Sequence, residues 1–288
     1  MSRLGWLLSH PEFRKNPIRV SSGVVSWEIH KLLSRNMSLE LDGLKLTARP
    51  IDGNGRLICY FGAKFDPIFD FLKTYLREGM VFVDVGANIG SHAINAARLV
   101  GGTGSVFAFE ADPDTYRILA ENIESNNLRN IMATQTCVSD HAGTLSFYKH
   151  KDSAKSSIVD RGEKVSVTLP SDTLDNLIPA NTKTDILKVD VEGAELSVLR
   201  GARQFFNDQR RPSVVIIEVF DVRDNTDRSQ GIREVLEGYG YKFYLFDGRR
   251  LAPLSGSALN AFALHESVVP QVMAKFSSHH ETLGRSRT

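Results

Sequence analysis

From residue 80 onwards, short apolar runs alternate with segments of helical spacing, and this alternation constrains the fold more than any other feature of the sequence. The runs that predict β-strands lie at 80–85, 105–109, 131–138, 185–190 and 213–219. Apolar residues recur with helical spacing at 90–99, 113–125, 194–206 and 229–237. Because strands joined through helices form parallel sheets covered on both faces, the sequence predicts an α/β fold with a mostly parallel sheet.

The segments outside this alternation divide the chain further. Residues 1–65 predict an N-terminal α/β extension and cap, in which the alternating stretch 38–50 is typical of a hairpin. Residues 66–270 predict the main domain, with two alternating strands between 143 and 178 interrupting the βα pattern. We expect residues 271–288 to form a flexible tail.

Composition and charge narrow the class of protein. The chain has 288 residues, 42% of them hydrophobic, which is enough for a buried core, and a net charge of +1 gives no field that would recruit nucleic acid. No run approaches the ~20 apolar residues that cross a bilayer, so we expect a cytoplasmic protein without a membrane span. Cys59 and Cys137 lack metal-ligand spacing and are expected to be free core thiols. Nothing in the sequence indicates the oligomeric state.

The stretch VFVDVGANIGSHAI, residues 81–94, runs from a predicted strand through two glycines into a predicted helix. Such a turn is expected to present free backbone N–H groups and the positive end of a helix to a ligand, with Gly86 and Gly90 allowing close approach. The spacing Asp84-x-Gly86-x-x-x-Gly90 differs from the Gly-x-Gly-x-x-Gly of dinucleotide-binding folds. The turn therefore predicts a site for a small polar ligand and weakens the dinucleotide interpretation.

Glu110 ends the second predicted strand of this pattern, 24 positions after Gly86. An acid at this place can accept hydrogen bonds from both ribose hydroxyls of an adenosine-containing ligand. The alternative interpretation is a surface glutamate that precedes Asp112 and Pro113 at the start of a helix.

Acidic residues gather at the predicted carboxyl ends of the parallel strands, where ligands bind in open α/β sheets. They are Asp84, Glu110, Asp190, Glu192 and Glu218. A pyrophosphate would be repelled there, whereas a sulfonium would be attracted, and a carboxylate of the same ligand could bind the N–H groups of the turn. S-adenosylmethionine meets these conditions.

Several motifs resemble, in the same order, those of the FkbM-type S-adenosylmethionine-dependent methyltransferases. They are FVDVGANIGSHA, VFAFEADPDTYRILAENIESNNL, SDTLDNL, DILKVDVEGAELSVLRGA and SVVIIEV. The resemblance covers about residues 60–265. It implies a class I methyltransferase (Rossmann-like) sheet of seven strands with the last one antiparallel, and transfer of a methyl group, usually to a hydroxyl.

The resemblance also implies which residues form the site. The residues implied to bind S-adenosylmethionine are Asp84, Gly86, Asn88, Gly90, Glu110, Ser139 and Asp140. Among them, Glu110 would hold the ribose, and Ser139 and Asp140 would flank the adenine. Asp190 and Glu192 would lie beside the methyl group.

A hydroxyl acceptor must lose its proton, and Asp190 is the best-placed base, with Glu192 second. Asp190 could instead only contact the ammonium and sulfonium groups of the donor. His92, in the first turn of a predicted helix, is expected to be a packing or capping residue rather than a base. The family often has Tyr-Glu before its first helix, where this chain has Phe65-Asp66, and this difference leaves any donor contact from that position open.

We expect a site without metal. The alternative is a Mg²⁺ ion that would bind and acidify an acceptor with neighbouring hydroxyls. The carboxylates that could hold such an ion are Asp190, Glu192, Glu218 and Asp221.

The predicted function is that of an S-adenosylmethionine-dependent O-methyltransferase with a small-molecule or oligosaccharide acceptor, such as a sugar or a secondary metabolite. The alternatives are an NAD(P)-dependent oxidoreductase and a methyltransferase-like scaffold that binds without turnover. The acceptor pocket is expected in the stretches with least pattern, 1–65, 149–163 and 221–232. Within 149–163, the segment Lys155-Ser156-Ser157 belongs either to a solvated loop or to a loop that closes over the acceptor.

Overall fold

The computed structural model describes residues 3–150, 152, 156–160, 162, 165–218, 226–255 and 260–284. Its N-terminal part consists of helices and one antiparallel hairpin, which confirms the hairpin predicted at 38–50. These elements are α1 (Arg3–Ser9), α2 (Pro11–Lys15), α3 (Pro17–Leu32), β1 (Met37–Leu41), β2 (Leu44–Ala48) and α4 (Gly53–Phe61).

The remaining described residues alternate between strands and helices. The helices are α5 (Ile68–Tyr75), α6 (Ser91–Val100), α7 (Pro113–Ser125), α8 (Leu174–Leu177), α9 (Glu195–Arg200), α10 (Arg203–Asn207), α11 (Thr226–Gly238) and α12 (Val269–Gly284). The strands are β3 (Val81–Val85), β4 (Ser105–Glu110), β5 (Ile131–Gln135), β6 (Cys137–Val138), β7 (Gly143–Lys149), β8 (Val165–Asp172), β9 (Ile186–Val189), β10 (Val214–Glu218), β11 (Tyr241–Phe246), β12 (Leu251–Pro253) and β13 (Asn260–His265). Within the described residues, none of the helices combines the length and apolar character needed to cross a bilayer.

Eight strands form the main sheet, in the order β12-β11-β13-β10-β9-β3-β4-β5. The five strands β10, β9, β3, β4 and β5 pair in parallel, whereas β13 runs antiparallel between β10 and β11. The α/β class, the mostly parallel sheet and the reversed last strand are therefore confirmed. All seven expected strands are present, and Leu251–Pro253 adds an eighth as an antiparallel edge beside β11.

Alternate residues of the central strands pack into different layers on the two faces of the sheet. On β3, Phe82 packs into the layer that contains α5, α6, α7 and α12, while Val83 packs into the layer that contains α8 to α11. On β9, Ile186 and Leu187 divide in the same way, and all four side chains are fully buried. Burial on both faces explains why these strands are continuous apolar runs in the sequence.

Two predicted elements are each divided in the structure. The predicted strand 131–138 separates into β5, in the main sheet, and β6, which joins a three-stranded sheet with β8 and β7. The predicted helix 194–206 separates into α9 and α10 at Gly201. A Cβ atom on Gly201 would lie 2.0 Å from the carbonyl oxygen of Ser139, so the turn between the two helices requires a residue without a side chain.

The chain continues as a helix through most of the segment that the sequence predicts to be a tail. Val272 and Phe276 of α12 are buried, and the Phe276 ring stacks on the Phe71 ring of α5 at a centroid distance of 4.9 Å. Two apolar residues four positions apart lie on the same side of a helix, and this side of α12 packs against the core.

Side-chain amides fasten the N-terminal hairpin to α7. Asn122 accepts a hydrogen bond from the N–H of Thr47 at 2.6 Å and donates to its carbonyl at 3.1 Å. Asn126 binds the backbone of Lys45 in the same manner, at 2.9 and 2.7 Å. Each amide satisfies one N–H and one C=O group at the edge of β2, as a neighbouring strand would. The extension is thereby held against the helix that follows β4.

Candidate active site

The turn between β3 and α6 closes onto the end of β4. The N–H groups of Gly86 and Ala87 both donate to the carbonyl of Phe109 at 2.9 Å, and that of Asn88 donates to the Glu110 carboxylate at 2.8 Å. The N–H of Ile89 donates to the Asn88 side chain, and that of Gly90 donates to the carbonyl of Ala87. The expectation that the N–H groups of residues 86–90 are free for a ligand is therefore wrong, because each of them has an acceptor within the protein.

Two features require a glycine at position 86, namely the backbone conformation of the turn and the close contact with the backbone that follows β9. Its φ of 81° lies in the left-handed region, and a Cβ atom on Gly86 would lie 1.9 Å from the carbonyl oxygen of Asp190. The sequence predicts a glycine that lets a ligand approach. The structure gives a different reason, because the backbones of the turns after β3 and β9 touch at this point.

Glu110 is buried at the end of β4, with 8% of its surface exposed. Its two carboxylate oxygens accept hydrogen bonds from the N–H groups of Asp112, at 2.9 Å, and Asn88, at 2.8 Å. Burial raises the pKa of Glu110 to about 7, although both hydrogen bonds oppose the shift. The alternative of a surface glutamate is thereby excluded, while Asp112 does cap α7 through the N–H groups of its first turn.

A cavity opens at the carboxyl ends of β3, β4 and β9. Five residues predicted from the sequence line this cavity, namely Gly86, Asn88, Glu110, Asp190 and Glu192. Asp84 and Gly90 are not among its lining residues. Both instead support the turn, because Asp84 is buried on β3 and Gly90 faces Leu119 and Ile94 in the core.

One wall of the cavity is largely apolar and comes from the chain beyond β5. Its residues are Thr136, Cys137, Val138, Phe147 and Ile158. Ser139 and Asp140, predicted at this wall, lie elsewhere. Ser139 is buried with its hydroxyl bonded to the backbone of His141, and the exposed Asp140 carboxylate pairs with the His141 ring. The chain leaves the main sheet after β5, and the part of it that lines the cavity ends at Val138.

Lys188 of β9 is a site residue that the sequence analysis did not identify. It is 3% exposed, and its Nζ lies 3.2 Å from Asp84 Oδ1 and 3.2 Å from Asp190 Oδ2. Burial alone would lower the pKa of Lys188, but Asp190 and Asp84 raise it above its ordinary value. The sequence signal for such a residue is a lysine inside an apolar strand, since a buried ammonium requires carboxylate partners.

The turn that carries Asp190 and Glu192 is held by a buried carboxylate. Glu195, at the start of α9, accepts hydrogen bonds from the N–H groups of Val191 at 3.2 Å and Gly193 at 3.0 Å. Glu192, between them, has a φ of 54°. The position of Glu192 at the cavity is therefore fixed by the backbone of this turn.

Glu218 lies beside Asp190 at the end of the adjacent strand. The register pairs Ile217 with Val189, which places the next residues, Glu218 and Asp190, at neighbouring strand ends. Burial, followed by the negative charges of Asp190 and Glu192, raises the pKa of Glu218 to about 8. Glu218 is consequently protonated for the most part at neutral pH, whereas Lys188 places a positive charge next to Asp190.

The described part of the 149–163 segment contributes to this cavity. Ser156, Ser157 and Ile158 line it, and the Ser157 hydroxyl donates to the carbonyl of Val191 at 3.1 Å. Lys149 lies outside the cavity and pairs with Asp114 at 2.8 Å. Lys155 is outside the described residues. The expectation of a purely solvated loop is wrong for residues 156–158, which lie beside Glu110 and Asp190 rather than in a separate acceptor pocket.

His92 lies in the first turn of α6 and is buried. Its Nε2 is 3.3 Å from Asp66 Oδ2, and its ring packs on Phe69 at a centroid distance of 4.4 Å. Burial would raise the pKa of Asp66, but the neighbouring His92, the N–H of Ile68 and the charge of Lys188 outweigh it and hold that pKa below its ordinary value. The arrangement fits the packing role predicted for His92.

A protein metal site usually needs three or more His, Cys, Asp or Glu side chains close enough to bind one ion. The residues that the structure describes contain no such group. Asp221, one of the carboxylates considered for Mg²⁺, lies outside the described residues.

The chain matches known proteins in sequence. A family model described as "Methyltransferase FkbM domain" matches residues 84–243, more than half of the chain. Hexuronic acid methyltransferase AglP of Haloferax volcanii is 31% identical over 170 residues, which cover 57% of this chain and 67% of that protein. Methyltransferase 1 of Beauveria bassiana is 29% identical over 143 residues, 41% of this chain and 57% of that protein, so less than two thirds of its length is matched.

The chain also matches solved structures. The crystal structure of methyltransferase FkbM from Methylobacillus flagellatus KT superposes with a TM-score of 0.43 at 14% identity. The superposition covers 88% of this chain and 60% of that chain.

Proposed function

This chain belongs to the FkbM methyltransferase family, whose members depend on S-adenosylmethionine, and from that premise we propose that it methylates a hydroxyl group of a sugar. The observation that carries the proposal is one cavity lined by both Glu110 and Asp190, an acid suited to a ribose and an acid suited to a proton transfer. The sugar acceptor is supported by the hexuronic acid methyltransferase among the relatives.

The cavity residues fit S-adenosylmethionine. Each oxygen of Glu110 accepts one backbone hydrogen bond and retains a lone pair for a ribose hydroxyl. The apolar wall around Val138 and Ile158 suits an adenine ring. We therefore assign the adenine side to Thr136, Cys137 and Val138 in place of Ser139 and Asp140.

We assign the role of base to Asp190, with Glu192 as the second carboxylate at the cavity. When bound, the donor supplies a methyl group activated by a positively charged sulfur. Asp190 Oδ2 faces Lys188 Nζ at 3.2 Å, so Oδ1 is the oxygen left to accept the proton of the acceptor hydroxyl. Glu218, whose pKa is raised to about 8, is protonated for the most part at neutral pH and is less suited to this role.

Replacing Glu110 with Ala should weaken S-adenosylmethionine binding by about 1–3 kcal/mol, the size of a lost hydrogen bond to a charged group. Because the pKa of Glu110 is about 7 in the protein alone, donor affinity of the wild type should also fall as the pH drops from 8 to 6 and the carboxylate takes up a proton. Isothermal titration calorimetry at both pH values measures the two effects.

Asp114→Ala is the matched control for this change, because Asp114 is an exposed carboxylate near the start of α7 that does not line the cavity. It should leave donor affinity and its pH dependence unchanged. In Glu110→Ala, the fall in affinity between pH 8 and pH 6 should become smaller. Wild-type affinity in a folded Glu110→Ala protein would contradict the ribose assignment.

The proposed reaction is tested with isotopically labelled S-adenosylmethionine and three acceptors: an oligosaccharide ending in a hexuronic acid, its neutral hexose counterpart and the corresponding amino sugar. Mass spectrometry detects the added methyl group, and NMR of the product locates it. We expect methylation at a hydroxyl oxygen. A methyl ester on the uronic carboxylate, or methylation of the amine, would refute hydroxyl transfer, and donor binding without transfer to any sugar would favour a scaffold.

A further inference from the structure

Exposed apolar side chains are concentrated on one side of α3. Ile18 and Leu32 are 85% and 84% exposed, and Val25, Ile29 and the adjacent Leu33 are about half exposed. After residue 33, few large apolar residues of the described chain are exposed, and they are not clustered. A contiguous exposed apolar surface of this kind marks an interaction site more often than an isolated residue does.

The positions on this side of α3 follow a regular spacing. Ile18, Ser22, Val25, Ile29 and Leu32 are separated by four, three, four and three residues, and we call these five residues the outer face of α3. Alternating steps of three and four place side chains along a seam that fits the side chains of a second helix. The spacing therefore indicates a helical partner.

The opposite side of α3 is already occupied by the protein itself. Val20 and Trp27 are buried there in the core with α4. The outer face is thus a second apolar side of the same helix, and no described residue covers it. An amphipathic helix that needs only one covered side would carry polar residues in these positions.

Two basic residues of α3, Arg19 and Lys31, are directed towards other parts of the protein. The Arg19 guanidinium lies beside Gly62, and Lys31 pairs with Glu28 at 3.8 Å and lines a groove with Arg56. Helices that bind anionic lipid surfaces instead carry Lys and Arg next to the apolar face. The flanking residues here include Ser21 and Ser26, whose small side chains allow the close approach of another helix.

We propose that two copies of this chain associate through the outer faces of α3, packed antiparallel about a two-fold axis near Val25. In that arrangement Ile18 of one copy lies opposite Leu32 of the other, and the small Ser22 lies opposite the larger Ile29. A parallel pair would place Ser22 against Ser22 and leave a gap. Antiparallel packing also brings the opposite ends of the two helix dipoles together.

The available area is sufficient for such a dimer. The four apolar side chains of the outer face and the adjacent Leu33, each contributing on the order of 100 Å², would bury about 500 Å² per copy and about 1,000 Å² in total, which is the lower limit for a specific interface. We therefore expect a reversible dimer whose population depends on concentration.

Sedimentation velocity of the full chain over a ~100-fold range of concentration tests the proposal. The wild type should shift towards the dimer mass as concentration rises, and Val25→Lys/Ile29→Lys should remain a monomer. Met132→Lys, a change of another half-exposed apolar residue on β5, is the matched control and should still dimerise. Circular dichroism and S-adenosylmethionine binding should be unchanged in both variants, because neither site lines the donor cavity.

Oxidative cross-linking of single-cysteine substitutions tests the orientation. Val25→Cys should form a disulfide-linked dimer, since residue 25 faces itself across the axis, whereas Ile18→Cys should not. Equal cross-linking of Ile18→Cys would overturn the antiparallel arrangement. A wild type that stays monomeric at every concentration, or a Val25→Lys/Ile29→Lys variant that still dimerises, would overturn the interface, as would a monomer that binds phosphatidylserine vesicles through these residues.

Discussion

Replacing Asp190 with Asn is expected to lower kcat by about 10²–10⁴-fold, the range that general-base catalysis contributes. Asn has the shape of Asp and can still accept a hydrogen bond from Lys188, which lies 3.2 Å away. The turn after β9 should therefore keep its geometry, and only the ability to take up a proton is lost. S-adenosylmethionine affinity, measured by calorimetry, should change by less than about threefold, below 1 kcal/mol.

Two further carboxylates serve as comparisons. Glu192→Gln, at the same cavity, should lower kcat less than Asp190→Asn. Asp140→Asn, an exposed carboxylate outside the cavity, should leave kcat and donor affinity unchanged. If Asp190→Asn weakens donor binding as much as it slows turnover, then Asp190 contacts the ammonium and sulfonium groups of the donor and the base must be another residue.

The main sheet could be predicted because its strands are buried on both faces. Phe82 and Val83 are fully buried on opposite sides of β3, so the sequence signal is a continuous apolar run and requires no knowledge of neighbouring elements. The break at Gly201 could not be predicted in this way. It depends on the approach of the Ser139 backbone, a contact between segments that are distant in sequence.

Part of the site could be predicted because the ends of the buried strands can be located in the sequence. Glu110 and Asp190 follow directly from the ends of predicted strands, and the structure brings both to one cavity. Ser139 and Asp140, the residues predicted beside the adenine, do not line this cavity, because the chain leaves the main sheet after β5 and Cys137 and Val138 of β6 pair with Ser171 and Asp172 of β8. Local periodicity contains no information about that pairing.

The charge of the site differs most from the sequence-based prediction. Five acids at strand ends suggest an exposed negative rim, but Asp84 is buried against Lys188, and Glu218 is protonated for the most part at neutral pH. The charge that a donor would meet is therefore smaller than the sequence suggests. A count of acids in a sequence cannot give this result, because pairing and burial decide which carboxylates carry a charge.

Lys188→Met is expected to lower the free energy of unfolding by about 3–5 kcal/mol, the cost of removing one partner from a buried ion pair. Lys188 is 3% exposed and Asp84 is fully buried, so the Asp84 carboxylate would be left in the core without its cation. Met has a similar length and fills the same space, which limits the change to the charge. Urea denaturation followed by circular dichroism measures the effect.

The titration of Lys188 itself should add no pH dependence to this stabilisation between about pH 6 and pH 9. Burial alone would lower the pKa of Lys188, but Asp190 and Asp84 raise it above the ordinary value of about 10.4. A group with a higher pKa in the folded state contributes its full stability below the unfolded pKa and loses it only as the pH rises through the folded pKa. The range from pH 6 to pH 9 lies below both values.

Two variants separate the role of Lys188 in folding from its role at the site. Lys149→Met removes a lysine that also pairs with two aspartates but is 26% exposed, and it should cost only about 0–1 kcal/mol. Lys188→Met/Asp84→Asn removes the buried carboxylate as well and should recover much of the lost stability. The buried ion pair would be contradicted if Lys188→Met were as stable as Lys149→Met. It would also be contradicted if Lys188→Met/Asp84→Asn were no more stable than Lys188→Met. Because Asp190 loses its cation in both Lys188 variants, kcat should stay low in the double variant even where stability returns, and that separation would identify Lys188 as the residue that positions the base.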